Sequence, residues 1–175
     1  MYLTEEHKTA IRLEFNSFVD SMYAGKTKKE RQELDQFFTP AELTIKMLEA
    51  LDCTYEEFLD SDVIDPTSGS GNLLAAALII GVDPHRVFGN EYDATMVTVC
   101  RKRLKAINPK VRDWQIHQGN ALIEDCLTIF NKDYDKTILQ ELLTYRPAIK
   151  GTWLEYPNKY GVGKMEAVDL FGGLF

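Results

Sequence analysis

The chain has 175 residues, 45% of them hydrophobic and 27% charged, and its formal net charge at pH 7 is −7. This length suits one domain with a hydrophobic core and is too short for two, and the acidic balance argues against a whole face that binds phosphate backbones. The longest apolar run, 73–80, cannot span a bilayer and the first residues are charged, so we expect a cytoplasmic protein without a membrane partner.

Apolar side chains recur at helical spacing within residues 4–24, at Ile11, Phe15, Phe18 and Met22. This periodicity predicts an amphipathic helix that packs on the domain through its apolar stripe. Residues 25–35 are charged and lack such periodicity. We interpret 1–36 as an N-terminal helical segment followed by a charged connector.

The next segment has the form of a helix N-terminus. Thr39 is placed as the N-cap, Pro40 as the first helical residue and Glu42 as the partner that closes a capping box. A second capping box, Thr54 with Glu57, predicts a short structural helix.

Residues 62–80 read as a buried strand, a glycine loop and a helix. Val63 and Ile64 are β-branched and apolar, and Gly69 and Gly71 leave the backbone room to approach a ligand. The helix that follows has its first amides directed at that ligand, so the segment predicts a cofactor site. Leu74 stands where a dinucleotide loop has its third glycine, and no Gly-Lys-Ser/Thr is present, which disfavours nicotinamide and P-loop enzymes.

Two further strands are predicted, at 86–90 and 114–117, separated by a helix that Asp93 caps. We expect Met96, Val97, Cys100 and Leu104 to face the sheet and Arg101, Lys102, Arg103 and Lys105 to face solvent. The alternation of strands and helices predicts a parallel sheet, whose carboxyl edge carries 65–71, 91–93 and 119–120. Such edges bind ligands, and an acidic residue about 20 positions after the loop, Glu91, is the candidate acceptor for ribose hydroxyls.

The cysteines, Cys53, Cys100 and Cys126, are far apart in the sequence. Neither they nor the histidines have the spacing of a zinc site. We expect free or buried thiols and no bound metal.

Four motifs follow one another along the chain: Phe-Phe-Thr-Pro at 37–40, Asp-Pro-Thr-Ser-Gly-Ser-Gly at 65–71, the acidic Glu91, and Gly-Asn-Ala-Leu at 119–122. Over these residues the chain resembles the S-adenosylmethionine-dependent methyltransferases that methylate the amino group of adenine in DNA. The resemblance implies an α/β, Rossmann-like methyltransferase fold with a largely parallel sheet flanked by helices. It also implies a domain, 37–155, that binds S-adenosylmethionine.

The resemblance also implies roles for individual residues. Residues 37–40 lie against the methionine half of the cofactor, Asn120 reaches its adenine ring, and Tyr92 covers that ring, where the family more often has an apolar side chain. The full set of cofactor-binding candidates is Phe37, Phe38, Thr39, Pro40, Asp65, Pro66, Gly69, Ser70, Gly71, Glu91, Tyr92 and Asn120.

The sequence departs from the family at the expected fourth strand, 134–139. Adenine methyltransferases follow that strand with Asp/Asn-Pro-Pro-Tyr/Phe, whereas here Gln140 and Glu141 follow. The chain thus resembles a truncated member without the catalytic motif, and we assign no catalytic residue. Two interpretations stay open. In the first, the protein is an enzyme that acts on a small or unusual substrate, or on nucleic acid, with an acceptor site formed by 145–160 or supplied by a partner. In the second, it is a pseudoenzyme that binds a macromolecule.

Residues 156–175 read as a flexible C-terminal tail. Its Val168, Leu170 and Phe171 resemble the short peptides with which replication proteins bind sliding clamps. The alternative is that these side chains pack on the core. Two basic stretches, 26–31 and 101–112, leave nucleic acid open as a partner, although we favour solvated surfaces for both.

Overall fold

Helices and strands alternate along the computed structural model, which describes residues 1–25, 27, 39–121, 123–132 and 137–139, all within the unit Met1–Tyr145. The helices in these ranges are α1 Glu5–Tyr23, α2 Ala41–Glu49, α3 Tyr55–Leu59, α4 Asn72–Ile79, α5 Ala94–Ile107 and α6 Cys126–Phe130. The strands are β1 Asp62–Asp65, β2 Val87–Glu91, β3 Ile116–Gln118 and β4 Thr137–Leu139. Phe37, Phe38 and the predicted tail lie outside the described residues.

The four strands form one parallel sheet in the order β3-β2-β1-β4. Val63 pairs with Val87, and Gly89 pairs with Ile116, so the carboxyl ends of β1, β2 and β3 lie side by side. Helices pack against this sheet, as expected for parallel strands joined by crossovers. The prediction of an α/β, Rossmann-like methyltransferase fold with a largely parallel sheet is confirmed.

Apolar side chains cover both faces of the sheet because successive residues of a strand point to opposite sides. On one face, Val87 belongs to a core shared by α1, α4 and α5. On the other, Ile64 and Phe88 pack with side chains of α6. No helix within the described ranges is long and apolar enough to span a membrane.

The N-terminal helix α1 confirms the amphipathic prediction. Thr4 is its N-cap and accepts a hydrogen bond from the amide of His7 at 3.2 Å. Ile11 and Phe15 are buried on its inner face. The helix therefore belongs to the core of the domain.

The predicted start of α2 was wrong by one residue. Pro40 is the N-cap, and no side chain caps the helix. Thr39 instead accepts a hydrogen bond at its carbonyl from Nδ2 of Asn72 at 2.8 Å. The Glu42 side chain forms an ion pair with Arg12 of α1, with 2.5 Å between Oε1 and Nε. This tertiary contact replaces the expected capping box.

The third strand is shorter than predicted because Trp114 lies in a 3₁₀ turn, Asp113–Gln115. The side-chain amide of Gln115 is fully buried and donates to the carbonyls of Pro84 and Val87, both at 2.7 Å. These bonds hold the turn against the start of β2 and delay the strand until Ile116. The capping box of Thr54 and Glu57 is confirmed.

Candidate functional site

The glycine loop, residues 66–71, joins β1 to α4 and is hydrogen-bonded to the end of β2. The amide of Ser68 donates to the carbonyl of Asn90 at 2.9 Å, and its hydroxyl donates to the same oxygen at 3.2 Å. The amide of Gly69 donates to Oε2 of Glu91 at 2.8 Å. The loop is thus held to the second strand by backbone and side chain together.

Two glycines make this close packing possible. A Cβ at Gly89 of β2 would lie 2.8 Å from Cδ1 of Leu74, so α4 approaches the strand as closely as a backbone without a side chain allows. Gly71, the N-cap of α4, has a φ of 81°, in the left-handed region that favours glycine. Gly71 thus gives the chain the left-handed conformation that starts α4, and the approach of a ligand to Gly69 and Gly71 stays a prediction.

Asp65 ends β1 beneath the loop and is almost fully buried. Its Oδ1 accepts one hydrogen bond, from the amide of Thr67 at 3.0 Å. Burial raises the pKa of Asp65 to about 7, and the nearby negative charge of Glu91 adds to the rise while the Thr67 bond opposes it. A positive ligand at this position would favour the ionised form of Asp65.

Glu91, at the end of β2, organises the neighbouring backbone. Besides the Gly69 amide, its carboxylate accepts the amide of Asp93 at 2.9 Å through Oε1. A carboxylate offers roughly four acceptor positions, so both oxygens retain lone pairs for further donors. The carbonyl of Glu91 also accepts the amide of Gly119 at 3.1 Å, which brings the loop after β3 to the same edge.

Asn120 lies in that loop, in a turn stabilised by Glu124. One Glu124 oxygen accepts the amide of Asn120 at 3.2 Å and the other lies 2.9 Å from Nε2 of His117. The Asn120 amide, followed by His117, lowers the pKa of Glu124. The turn holds Asn120 at the carboxyl edge of the sheet.

The remaining predicted site residues have varied surroundings. Pro66 and Ser70 are buried in the loop, Thr39 is half-buried and Pro40 exposed. Tyr92 is 76% exposed at the end of β2, with its ring available to a ligand or partner. Phe37 and Phe38 are outside the described residues.

Two polar side chains of this region were missed or misplaced by the sequence analysis. Arg103 was expected to face solvent, yet it is 5% exposed and contacts the glycine loop. Asn72 is also buried, and its amide bonds to the Thr39 carbonyl. The spacing contained a signal for Arg103, because three residues after Cys100 a side chain falls on the same helical face.

Together, the parallel sheet, the glycine loop at the end of its first strand and the carboxylate at the end of its second are features of a Rossmann-like α/β protein. The family model for N-6 DNA methylase matches residues 18–140, well over half of the chain. The chain belongs to the N-6 DNA methylase family. No curated protein and no solved structure gave a match.

Proposed function

We propose that the protein binds S-adenosylmethionine at the carboxyl edge of β1, β2 and β3, and that the acceptor of its methyl group is adenine in a nucleic acid. The observation that carries the proposal is the hydrogen bond from the Gly69 amide to Glu91, 2.8 Å long. It joins a glycine loop after the first strand to a carboxylate after the second, where open α/β sheets bind nucleotides. Membership in the N-6 DNA methylase family supports the same cofactor.

The residues at this edge fit a nucleoside that carries a positive charge. Gly69 has a φ of 52°, and apart from its chain neighbours no described residue has an atom within 4 Å of the place its Cβ would take, so within the described part of the chain the space beside Gly69 is open. Glu91 has free lone pairs for ribose hydroxyls. Asp65 and Glu91 supply negative charge, and a sulfonium cation offsets part of the cost of burying Asp65.

When bound, S-adenosylmethionine supplies an electrophilic methyl group on a sulfonium. The work of this chain is to bind and orient the cofactor. In the proposal, Glu91 accepts the ribose hydroxyls, Asn120 and Tyr92 contact the adenine ring, and Thr39 and Pro40 contact the methionine half. The proposal also counts as cofactor-binding residues Phe37, Phe38, Asp65, Pro66, Gly69, Ser70 and Gly71.

Transfer to adenine needs an acceptor site that holds the amine in line with the methyl group. The family's Asp/Asn-Pro-Pro-Tyr/Phe does not occur in the 175 residues, so the proposal names no catalytic residue. This sequence observation favours a second candidate, a pseudoenzyme that retains the cofactor site and binds a macromolecule. The tail residues Val168, Leu170 and Phe171 would then dock on a sliding clamp.

Calorimetric titration with S-adenosylmethionine tests cofactor binding, with the double variant Asp65→Ala, Glu91→Ala as control. We expect micromolar affinity that is lost in the double variant while the circular dichroism spectrum is unchanged. Equal heats for both proteins, or none for either, would rule out the proposed site. Glu6→Gln, an exposed carboxylate on α1, controls for charge alone.

Labelled S-adenosylmethionine and adenine-containing DNA then separate the two candidates. Label in the DNA indicates an enzyme, whereas cofactor binding without transfer supports the pseudoenzyme. For the latter, deleting residues 168–175 should abolish co-purification of a sliding clamp and leave the melting temperature unchanged. A large fall in melting temperature would instead make these residues part of the core.

A further inference from the structure

Arg103 forms a two-pronged ion pair with the N-terminal helix. Its Nε lies 2.9 Å from Oε1 of Glu14, and its Nη2 lies 2.6 Å from Oε2 of the same carboxylate. The Arg103 side chain is 3% exposed and that of Glu14 21%. Such a bidentate pair fixes the orientation of the guanidinium as well as its position.

The remaining guanidinium nitrogen of Arg103 contacts the glycine loop. Nη1 donates to the carbonyl of Ser70 at 3.3 Å and to Oδ1 of Asn72. Asn72 in turn donates through Nδ2 to the carbonyl of Thr39 at 2.8 Å. One side chain of α5 thereby connects α1, the glycine loop and the Thr39-Pro40 segment.

Two aromatic rings of α1 enclose the guanidinium. Cζ of Arg103 lies 4.8 Å from the ring centroid of Phe15 and 3.9 Å from that of Phe18. Both distances are within the range of cation–π attraction. The same rings line a small cleft that also includes Thr39, Pro40 and Asn72, so α1 borders the segment ahead of the loop.

A buried ion pair is weak evidence for stability, because apolar residues of similar volume often serve as well. The better-attested effect of a buried ion pair is to favour one packing arrangement of the surrounding helices and loops over the alternatives. Each contact of Arg103 is directed at an atom that sets the loop conformation or at the helix that anchors it. We propose that Arg103 is a positioning residue of the cofactor site, which holds the glycine loop in its binding conformation and makes that conformation depend on α1.

The inference rests on the proposed function, since it takes the loop to bind S-adenosylmethionine. A loop that spends only a fraction of its time in the binding conformation has an apparent affinity reduced by that fraction. Loss of the Ser70 and Asn72 contacts should therefore weaken cofactor binding without removing any group that touches the cofactor. It should also expose the loop amides to exchange in the free protein.

The informative variant is Arg103→Lys. Lysine is a compact charge that keeps the pairing with Glu14 but lacks the planar fork needed to reach the loop as well. We expect an S-adenosylmethionine Kd about tenfold higher, as for a loop populated about one-tenth of the time. Hydrogen exchange should be faster at the amides of Gly69 and Gly71, because a loop in its binding conformation one-tenth of the time is open for the rest. The fall in melting temperature should be smaller than that of Arg103→Met, since the charge opposite Glu14 is kept.

Arg103→Met and the neighbouring surface variant Lys102→Met complete the set. We expect Arg103→Met to lose melting temperature as well as affinity, since Glu14 is left unpaired, and Lys102→Met to match the wild type. Suppose that the Gly69 and Gly71 amides of Arg103→Lys exchange as in the wild type, that its affinity for S-adenosylmethionine is unchanged, and that Arg103→Met loses only stability. Arg103 is then a purely structural residue and the inference is overturned.

Failure of the proposed function is distinguishable from failure of this inference. A wild type that does not bind S-adenosylmethionine contradicts the function, but exchange at Gly69 and Gly71 still decides the role of Arg103. Faster exchange in Arg103→Lys supports loop positioning. Unchanged exchange overturns it, whatever the wild type binds.

Discussion

Gly71 lies directly against the sulfur of Cys100: a Cβ on the glycine would be 2.7 Å from Sγ, much closer than two such atoms approach. Leu104, one turn further along α5, would be 3.5 Å from the same Cβ. The glycine loop therefore rests on α5 with no space for a side chain at this position.

Gly71→Ala should destabilise the protein by about 1–3 kcal/mol, because overpacking adds to the strain of a positive φ. Gly69→Ala is the matched comparison, since its φ of 52° brings strain but no described residue other than its chain neighbours lies within 4 Å of the new methyl group. Its effect should be about 1 kcal/mol. Chemical denaturation of the three proteins gives both differences.

The clash is tested separately by the double variant Gly71→Ala, Cys100→Ala. Removing the sulfur should restore part of the lost stability, so the two substitutions should be less than additive. The steric account would be contradicted if Gly71→Ala lowered the free energy of unfolding no more than Gly69→Ala does. It would also be contradicted if the effects of Gly71→Ala and Cys100→Ala were fully additive.

Local patterns explain what the sequence predicted. The positions of Gly71 at the start of a helix and of Glu91 at a strand end were predicted because strand ends, turn residues and apolar periodicity act over a few neighbouring positions. Arg103 was assigned to the surface because of its charge, although its spacing from Cys100 places it on the buried face of the helix. Its partner Glu14 is 89 residues away, and no local pattern encodes a bond of that separation. The N-cap predicted at Thr39 was also wrong, and a distant contact is again involved. The Thr39 carbonyl accepts a hydrogen bond from Asn72, 33 residues away, and the Thr39 side chain does not cap the helix.

Asp65→Asn should stabilise the cofactor-free protein at pH 8, and this gain should shrink as the pH falls and vanish below pH 3.8. Burial raises the folded-state pKa of Asp65 to about 7, above the ordinary 3.8, so the folded protein binds this proton more tightly. The resulting stability is fully present below pH 3.8 and is lost as the pH rises through 7, falling by about 1.4 kcal/mol for each pH unit between the two pKa values. Thermal melts of both proteins across this range measure the difference.

The same substitution should weaken S-adenosylmethionine binding at pH 8, because it removes a negative charge facing a cation. Wild-type affinity should rise between pH 6 and 8 as Asp65 ionises, and that part of the pH dependence should vanish in Asp65→Asn. If the affinities of the two proteins changed with pH in parallel, the ionisation of Asp65 would not affect cofactor binding.

Glu91→Gln should weaken cofactor binding more than it lowers stability. The amide keeps one acceptor oxygen but directs an N–H₂ group at either Gly69 or Asp93, whose own amides are donors. We expect at least a tenfold loss of affinity, about 1.4 kcal/mol, for the charge and one acceptor. Calorimetry measures it, and an affinity within twofold of the wild type would exclude Glu91 as the ribose acceptor.

Glu124→Gln should loosen the turn that holds Asn120, and acid should abolish the difference between variant and wild type. The Asn120 amide and His117 lower the pKa of Glu124 below its ordinary 4.5, so its contribution is present above pH 4.5 and lost as the pH falls through the folded-state value. Protection of the Asn120 amide against exchange should therefore be lower in Glu124→Gln at pH 7 and equal in both proteins at the acid end of the titration. If the difference in Asn120 protection between wild type and Glu124→Gln were the same at both pH values, Glu124 would act by packing rather than by charge.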